Sequence, residues 1–394
     1  MKIHYFNPGH ETAVLNGSPY YMAPANVATM QHDLAFLPAW YGNREDVVLV
    51  EKSVNEYYAS IYEKIPSLPH AITKNDLCRY KEVDISLWGI SPQAIHYFEE
   101  IDKESELKLN IPQWREEYLY LNNRKTAHDC LELLCDQSIQ IDNSIIPQFY
   151  TSLEEIDSAV KYSSCKLLAK APYSSSGRGL LWLPVSELTR TENQILHGIL
   201  KKQGAVSIER VLDKQIDFAM EFMSDGKGEV DFVGYSLFYT NAKGGYESNY
   251  IGGQEYIEQI LCKKISPFLL SDIKQQLRDI LAEKYGSLYC GCIGVDMMIY
   301  KEEDTFRLHP CVEINMRYNM GYLALCIQQN YLSENVSGRF YLDFYPREGD
   351  MLQSHIKMQE LHPTIYKDGR LEKGYMSLCP ITENTRYRAY VLIE

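Results

Sequence analysis

The chain of 394 residues is 45% hydrophobic and 23% charged, as soluble globular proteins are, and is long enough for two or three packed units. Its net charge of −14 argues against nucleic acid or an anionic membrane as a partner, because both require clustered Lys and Arg. The ten cysteines show neither a CxxC pair nor a zinc-type spacing, and no secretory signal or membrane-length apolar run is present, so we expect a cytoplasmic protein with reduced thiols.

We assign residues 1–118 to a first unit. The pattern of strand-like and helical runs there predicts a small open α/β domain. Strand-like runs lie at residues 2–6, 46–50 and 87–90, and helical segments lie at residues 30–36 and 53–62, with a further helix starting at residues 91–92. This alternation favours a parallel sheet. Ligands of such sheets bind at the carboxyl ends of strands, so His10 and Glu11, which follow the first strand, are candidate substrate contacts. A capped turn is the alternative.

A loop of Ser and Gly distinguishes the second unit, residues 119–208. Strand-like runs bracket it, and Lys170 ends the first of them. The loop residues are Ser174, Ser175, Ser176, Gly177, Arg178 and Gly179. Backbone N–H groups that no bulky side chain covers suit a phosphate chain. The loop lacks the Gly-Lys-Ser/Thr of a Walker A motif and the Gly-x-Gly-x-x-Gly of a dinucleotide site. A mobile surface turn is the alternative.

Further elements of the second and third units follow from periodicity. Helices are predicted at residues 119–134, 192–202, 266–285 and 321–329, with a capping box at residues 152–155 that opens another helix. Strands are predicted at residues 206–209, 217–222, 230–239, 340–344 and 387–393. The C-terminal part matches no motif.

The third unit, residues 209–394, contains a predicted β-hairpin that turns at residues 302–305. Folded about that turn, Asp296 and Glu313 lie nearly opposite one another, and Glu313, Asn315 and Arg317 share one face of their strand. Two opposed carboxylates repel unless a cation lies between them, and Mg²⁺ prefers such oxygen ligands. A solvated polar pair is the alternative, although an acidic residue in so apolar a run is costly unless paired.

These features together resemble the ATP-grasp superfamily. Asp296 followed by Glu313-Ile-Asn315-Met-Arg317 is similar to the metal signature of that family, and the Gly-rich loop lies upstream of it in the family's order. Residues 206–212 resemble the hinge whose backbone contacts adenine. Residues 122–126 resemble the start of the helix that carries a phosphate-binding lysine, with Arg-Lys where the family usually has Asp-Lys.

The resemblance implies an α/β (α+β) ATP-grasp fold: an N-terminal open parallel-sheet domain, a lid subdomain with the Gly/Ser-rich loop, and a C-terminal subdomain with the metal hairpin and an extension. It implies ATP and Mg²⁺ as cofactors, with Mn²⁺ as an alternative metal. The implied metal ligands are Asp296, Glu313 and Asn315. The implied nucleotide contacts are Lys125, Lys170, residues 174–179, Glu209, Val211, Asp217 and Lys243. Glu221 is an alternative to Asp217 for contacting the ribose or metal. The implied substrate contacts are His10, Glu11, Asn249, Tyr250 and Arg317.

The resemblance also implies a reaction. Arg317 and Lys170 would stabilise charge during phosphoryl transfer from ATP to a small-molecule carboxylate, and an amine or similar nucleophile, including a thiol, would then attack the acylphosphate. The alternatives are a kinase of a small acceptor, a non-catalytic ATP-binding regulator, and an unrelated α/β protein with an accidental resemblance. The sequence identifies neither substrate and leaves the oligomeric state open, a dimer being compatible with it.

Overall fold

The computed structural model describes residues 1–104, 108–174, 179–241 and 244–394. Across these ranges the chain forms a parallel sheet, a small antiparallel sheet and a large antiparallel sheet, with helices packed around them. The α/β (α+β) class and the parallel N-terminal sheet that the sequence predicts are confirmed. No described helix combines the length and the apolar character that a membrane span requires.

The N-terminal sheet has the order β3-β2-β1-β4-β5, with every pairing parallel. Its strands are β1 Lys2–Tyr5, β2 Val47–Leu49, β3 His70–Ile72, β4 Glu82–Leu87 and β5 Lys108–Asn110, and its helices are α1 His10–Asn16, α2 Ala25–Asp33, α3 Asn55–Lys64 and α4 Pro92–Glu104. The strand predicted at residues 87–90 was placed wrongly, because alternating burial begins at Val83 and ends at Leu87. The predicted start of α4 is confirmed, since the Ser91 hydroxyl accepts from the Ala94 amide at 3.2 Å.

The small sheet has the order β6-β9-β7-β8 and is antiparallel. Its strands are β6 Gln148–Tyr150, β7 Leu167–Lys170, β8 Leu180–Trp182 and β9 Val206–Arg210, and the helices of this part are α5 Glu117–Leu121, α6 Lys125–Gln137, α7 Leu153–Tyr162 and α8 Arg190–Gln203. The capping box between Ser152 and Glu155 is confirmed. The single helix predicted at residues 119–134 is in fact two, because Asn122 and Asn123 hydrogen-bond locally and interrupt it.

The large sheet has the order β14-β13-β10-β11-β12-β15-β18-β17-β16. Its strands are β10 Asp213–Asp225, β11 Val230–Thr240, β12 Tyr246–Ile251, β13 Cys290–Glu302, β14 Thr305–Asn315, β15 Gly338–Phe344, β16 Ile365–Lys367, β17 Arg370–Ser377 and β18 Tyr387–Ile393. Its helices are α9 Gln254–Cys262, α10 Pro267–Tyr285, α11 Met320–Tyr331 and α12 Asp350–Leu361. The C-terminal part therefore extends the sheet that carries the predicted metal hairpin.

Two of the four hydrophobic core clusters of the described residues join different layers. One lies between the large sheet and helices α6, α9 and α10. The other joins the N-terminal sheet to α11 and the C-terminal strands, and there the buried Trp40 donates its indole N–H to the carbonyl of Leu378 at 2.8 Å. Strand β9 crosses the proposed boundary between residues 208 and 209, and the three domain ranges themselves stay a prediction.

Candidate active site

A cavity of ≈ 670 Å³ lies between the three sheets. Pro8 and Trp88 line it from the N-terminal part, and Lys170 and Glu209 line it from the small sheet. Its floor is one face of the large sheet, on which residues two apart along each strand point the same way. The sequence-predicted residues can therefore be tested by whether they reach this one space.

The predicted metal residues do reach it. Asp296 lies directly opposite Glu313 in the β13–β14 ladder, and the Asn315 amide donates to Asp296 Oδ2 at 3.1 Å. Burial, followed by the neighbouring carboxylates of Glu313 and Glu221, raises the pKa of Asp296 well above its usual range, although Arg317 lowers it. An opposed pair of carboxylates with an amide oxygen beside it fits a hard divalent cation such as Mg²⁺.

Lys125 is exposed and does not line the cavity, so it does not take the phosphate-binding place that the sequence predicted for it. The preceding residue, Arg124, is buried and faces the metal hairpin. Its Nη1 lies 3.0 Å from Glu313 Oε2, its Nε donates to the carbonyl of Ala171 at 3.2 Å, and its Nη2 donates to Ser174 Oγ at 3.4 Å. Because α6 begins at Lys125, that side chain emerges on the outer face.

Lys170 and Glu209 form a buried ion pair, with 2.6 Å between Nζ and Oε1. They lie on the adjacent antiparallel strands β7 and β9, and both line the cavity. Val211 lines it too, but its N–H donates to the carbonyl of Lys166 at 2.8 Å. That backbone group is therefore already used, and the carbonyl of Val211 is the one left for a ligand.

The remaining predicted nucleotide contacts differ in position. Asp217 lines the cavity, where its Oδ2 accepts from Lys214 at 2.5 Å and from Thr240 at 2.9 Å. Gly179 closes the β7–β8 hairpin with a φ of 79°, a conformation that favours glycine, and its carbonyl accepts from the Ala171 amide at 3.0 Å. Neither Ser174 nor Gly179 is among the cavity-lining residues. Ser175, Ser176, Gly177, Arg178 and Lys243 lie outside the described residues.

Arg317 lines the cavity, and the predicted substrate contacts His10 and Glu11 lie behind it. Arg317 Nε donates to Glu11 Oε1 at 2.7 Å, Glu11 Oε2 lies 3.3 Å from His10 Nδ1, and His10 Nε2 lies 3.0 Å from Asn122 Oδ1. Burial lowers the pKa of His10. Burial by itself raises the pKa of Glu11, but His10 and Arg317 together hold it below its ordinary value. The placement corrects the expectation for both residues: they hold Arg317 and do not line the cavity.

The predicted substrate contacts Asn249 and Tyr250 lie on β12 and not in a loop, and they point to opposite faces of the sheet. Asn249 is buried and lines the cavity, where its Nδ2 donates to Ser236 Oγ at 2.7 Å and its Oδ1 accepts from Tyr246 at 2.5 Å. Tyr250 does not line the cavity and its ring packs against Tyr256. The strand alternation that brings Asn249 inward therefore takes Tyr250 out of the predicted site.

Solved structures share this architecture. The biotin carboxylase of Campylobacter jejuni matches with a TM-score of 0.53 at 10% identity, over 100% of this chain and 87% of that one. The biotin carboxylase domain of Hydrogenobacter thermophilus 2-oxoglutarate carboxylase matches with a TM-score of 0.54 at 10% identity, over 100% and 86%. N5-carboxyaminoimidazole synthetase of Staphylococcus aureus matches with a TM-score of 0.50 at 11% identity, over 100% and 93%. No protein-family model and no curated protein sequence matches the chain.

The chain has the ATP-grasp fold. The fold that the sequence resemblance implies is thereby confirmed, including the N-terminal parallel sheet that precedes the rest. In this ATP-grasp architecture the cavity combines opposed carboxylates with Arg124, Lys170 and Arg317, each of which lies next to a carboxylate. Such a set can bind a metal ion together with an anionic chain and spread the charge of a transferred phosphoryl group.

Glu221, which the sequence analysis names as an alternative to Asp217 for contacting the ribose or metal, lines the cavity. It is 1% exposed and lies on β10, where its Oε2 accepts from Asn319 Nδ2 at 2.8 Å and lies 3.8 Å from Cys292 Sγ. Burial raises its pKa to about 7, although the Asn319 hydrogen bond and Arg317 lower it. The four-residue spacing from Asp217 along β10, an even number, was the signal that placed Glu221 on the same face of the sheet.

Proposed function

We propose that the protein is an ATP-dependent ligase that phosphorylates a small-molecule carboxylate with Mg-ATP and couples it to an amine or similar nucleophile through an acylphosphate. The observation that carries this proposal is the opposed pair of Asp296 and Glu313 in the cavity that Lys170 and Arg317 also line. The likeness to ligase and carboxylase structures supports it, since their descriptions name ADP, MgADP and bicarbonate.

The residues divide the work by charge. Asp296, Glu313 and Asn315 would hold Mg²⁺, which would supply positive charge to neutralise part of the phosphate charge. Lys170, now paired with Glu209, would contribute its positive charge to a phosphate, and Glu209 would accept a hydrogen bond from the adenine amino group. Arg124 stays with Glu313 and adds a second cation beside the phosphates.

Arg317 serves the reacting carboxylate. Its guanidinium is fixed by Glu11 and by the carbonyl of Tyr318, to which Nη1 donates at 3.2 Å. A planar fork held in this way orients a carboxylate or acylphosphate at the metal ion and stabilises the charge that develops during transfer. No protein nucleophile is required for this chemistry.

Calorimetric titration with ADP and with a non-hydrolysable ATP analogue, with and without Mg²⁺, tests the nucleotide part of the proposal. We expect Mg²⁺-dependent binding that Glu313→Gln weakens. A screen of carboxylates for ADP release, with and without added amines, tests the reaction. ADP release that requires a carboxylate and an amine together supports the ligase. Release with one acceptor alone indicates a kinase, and nucleotide binding without any turnover indicates a regulatory protein.

A further inference from the structure

A group of polar side chains next to the metal ligands has no part in the chemistry described so far. We call it the Glu221 cluster: Glu221, Ser236, Asn249 and Asn319. All four residues are buried and line the cavity. They come from β10, β11, β12 and the start of α11, so the sheet brings together residues that are far apart in the chain.

Glu221 lacks a cationic partner. Among the described residues no Lys, Arg or His lies within ion-pair distance of its carboxylate, and its recorded partners are the amide of Asn319 and the thiol of Cys292. The nearby Arg317 is engaged by Glu11. A carboxyl group buried in this way is costly when ionised, unless a ligand brings the positive charge.

Two glycines keep space around that carboxyl group. A Cβ on Gly321 would lie 2.2 Å from Glu221 Oε1 and 2.5 Å from Ser236 Oγ, and a Cβ on Gly294 would lie 2.8 Å from Glu221 Oε2. Contacts this short do not occur, so any larger residue at either position would displace the Glu221 carboxyl. The Glu221 carboxyl group therefore occupies the place that a side chain at either position would take, while Glu221 itself lines the cavity.

We propose that the Glu221 cluster is the acceptor subsite and that it binds a small primary amine, with the nitrogen at Glu221 and polar groups of the ligand at Ser236 and Asn249. This deepens the proposed ligase function and rests on it. The ligand is an ammonium ion in water and supplies the charge that the carboxyl group lacks. Arg317, which lines the same cavity, would hold the acylphosphate that the amine attacks.

The proposed step is balanced as follows. The ammonium gives one proton to the Glu221 carboxylate, and the neutral amine attacks the carbonyl carbon of the acylphosphate. The C–N bond forms, and the bond between the carbonyl carbon and the bridging oxygen of the acylphosphate breaks. Phosphate leaves with that electron pair and takes up the second amine proton. A carboxyl group whose pKa lies at about 7 accepts and releases a proton readily near neutrality.

Binding of amines to the protein saturated with MgADP tests the proposal. The probes are the proteinogenic amino acids, their decarboxylated amines, and for each amine that binds the alcohol in which OH replaces NH₂. We expect at least one amine to bind, its alcohol to bind more weakly, and Glu221→Gln to weaken the amine at least about tenfold, as expected for a lost charged hydrogen bond. Amine affinity is compared for each variant at its own saturating MgADP concentration, and Glu229→Gln, at an exposed glutamate, is the matched control that should leave amine binding unchanged.

Each other outcome overturns the proposal. An amine that binds Glu221→Gln as tightly as wild type removes Glu221 from the subsite, and a wild type that binds MgADP but no amine of this panel refutes the amine class. A wild type that binds no MgADP overturns the proposed function and this proposal with it. If Glu221→Gln does not fold, Asn249→Leu replaces it, and an unchanged amine affinity in that variant contradicts the subsite.

Discussion

The cavity contains two polar groups, the metal ligands with their neighbours and the Glu221 cluster, and they differ in how their acidic charge is compensated. Around the metal ligands, Glu313 contacts Arg124, and the neighbouring Lys170 and Arg317 contact Glu209 and Glu11. In the Glu221 cluster no such cation is recorded among the described residues. A site that holds its own cations is suited to anionic phosphates, whereas a lone carboxyl group is suited to a ligand that brings positive charge. The two groups thus select opposite ligand charges within one cavity.

The largest effect is expected from Asp296→Asn. This change keeps the shape of the side chain but removes one of the two opposed carboxylates. The Mg²⁺-dependent affinity for nucleotide should therefore fall by about tenfold to a hundredfold. Without Mg²⁺ the same variant should be no less stable than wild type, because the repulsion from Glu313 is relieved. Calorimetry and thermal unfolding, each with and without Mg²⁺, measure both effects. An unchanged Mg²⁺ dependence would show that the pair does not bind the metal.

Lys170→Ala tests the cationic side of the same group. We expect the dissociation constant for MgADP to rise about tenfold or more, since a charged hydrogen bond to phosphate is lost and Glu209 is left buried without its partner. Lys125→Ala is the matched control and should change nothing, because that side chain is exposed. Equal effects of the two variants in calorimetry would restore Lys125 to the site.

The sequence predicted the metal residues because they depend on local pairing. A hairpin that turns at residues 302–305 places Asp296 of β13 opposite the second half of β14, and alternation fixes which side chains share a face. The register at that point was only approximate, since plain counting pairs Asp296 with Cys311. The ladder shifts by two residues around Pro310, which cannot donate to it, and the shift brings Glu313 opposite. A shift of an even number keeps every side chain on its face, so the prediction of the shared face survived.

Other parts of the site depend on distant contacts and could not be predicted in this way. Glu221 reaches the cavity because β10 pairs with β13 across a long stretch of chain, with Glu221 opposite Gly294. Likewise, the choice between Arg124 and Lys125 depends on where α6 begins, and helix boundaries are poorly defined by sequence patterns. The ion pair between Glu11 and Arg317 joins residues 306 positions apart in the chain. Local patterns around Glu11 could not predict such a distant contact.

Glu11→Gln tests the group that contains the protein's own cations, because it removes the negative charge that compensates Arg317. We expect a loss of stability of about 2–4 kcal/mol, as for a buried ion pair that loses one partner. Nucleotide affinity should change little, whereas the KM for the carboxylate substrate should rise as Arg317 loses its orientation. Urea unfolding gives the first quantity and ADP-release kinetics the second. A rise confined to kcat, with stability and KM unchanged, would argue that Glu11 contacts the reacting groups directly.

Gly321→Ala should have the smallest effect on the fold and a selective one on binding. Alanine favours the helix by about 1 kcal/mol over glycine, which offsets part of the crowding that the new methyl group causes. The new methyl group would contact the ends of the Glu221 and Ser236 side chains, which can move. The main effect is therefore a displacement of the Glu221 carboxyl group. MgADP affinity should therefore equal that of wild type while amine affinity falls. If both fall together, the Glu221 cluster and the metal ligands form one inseparable site; if neither falls, the space around Glu221 serves packing alone.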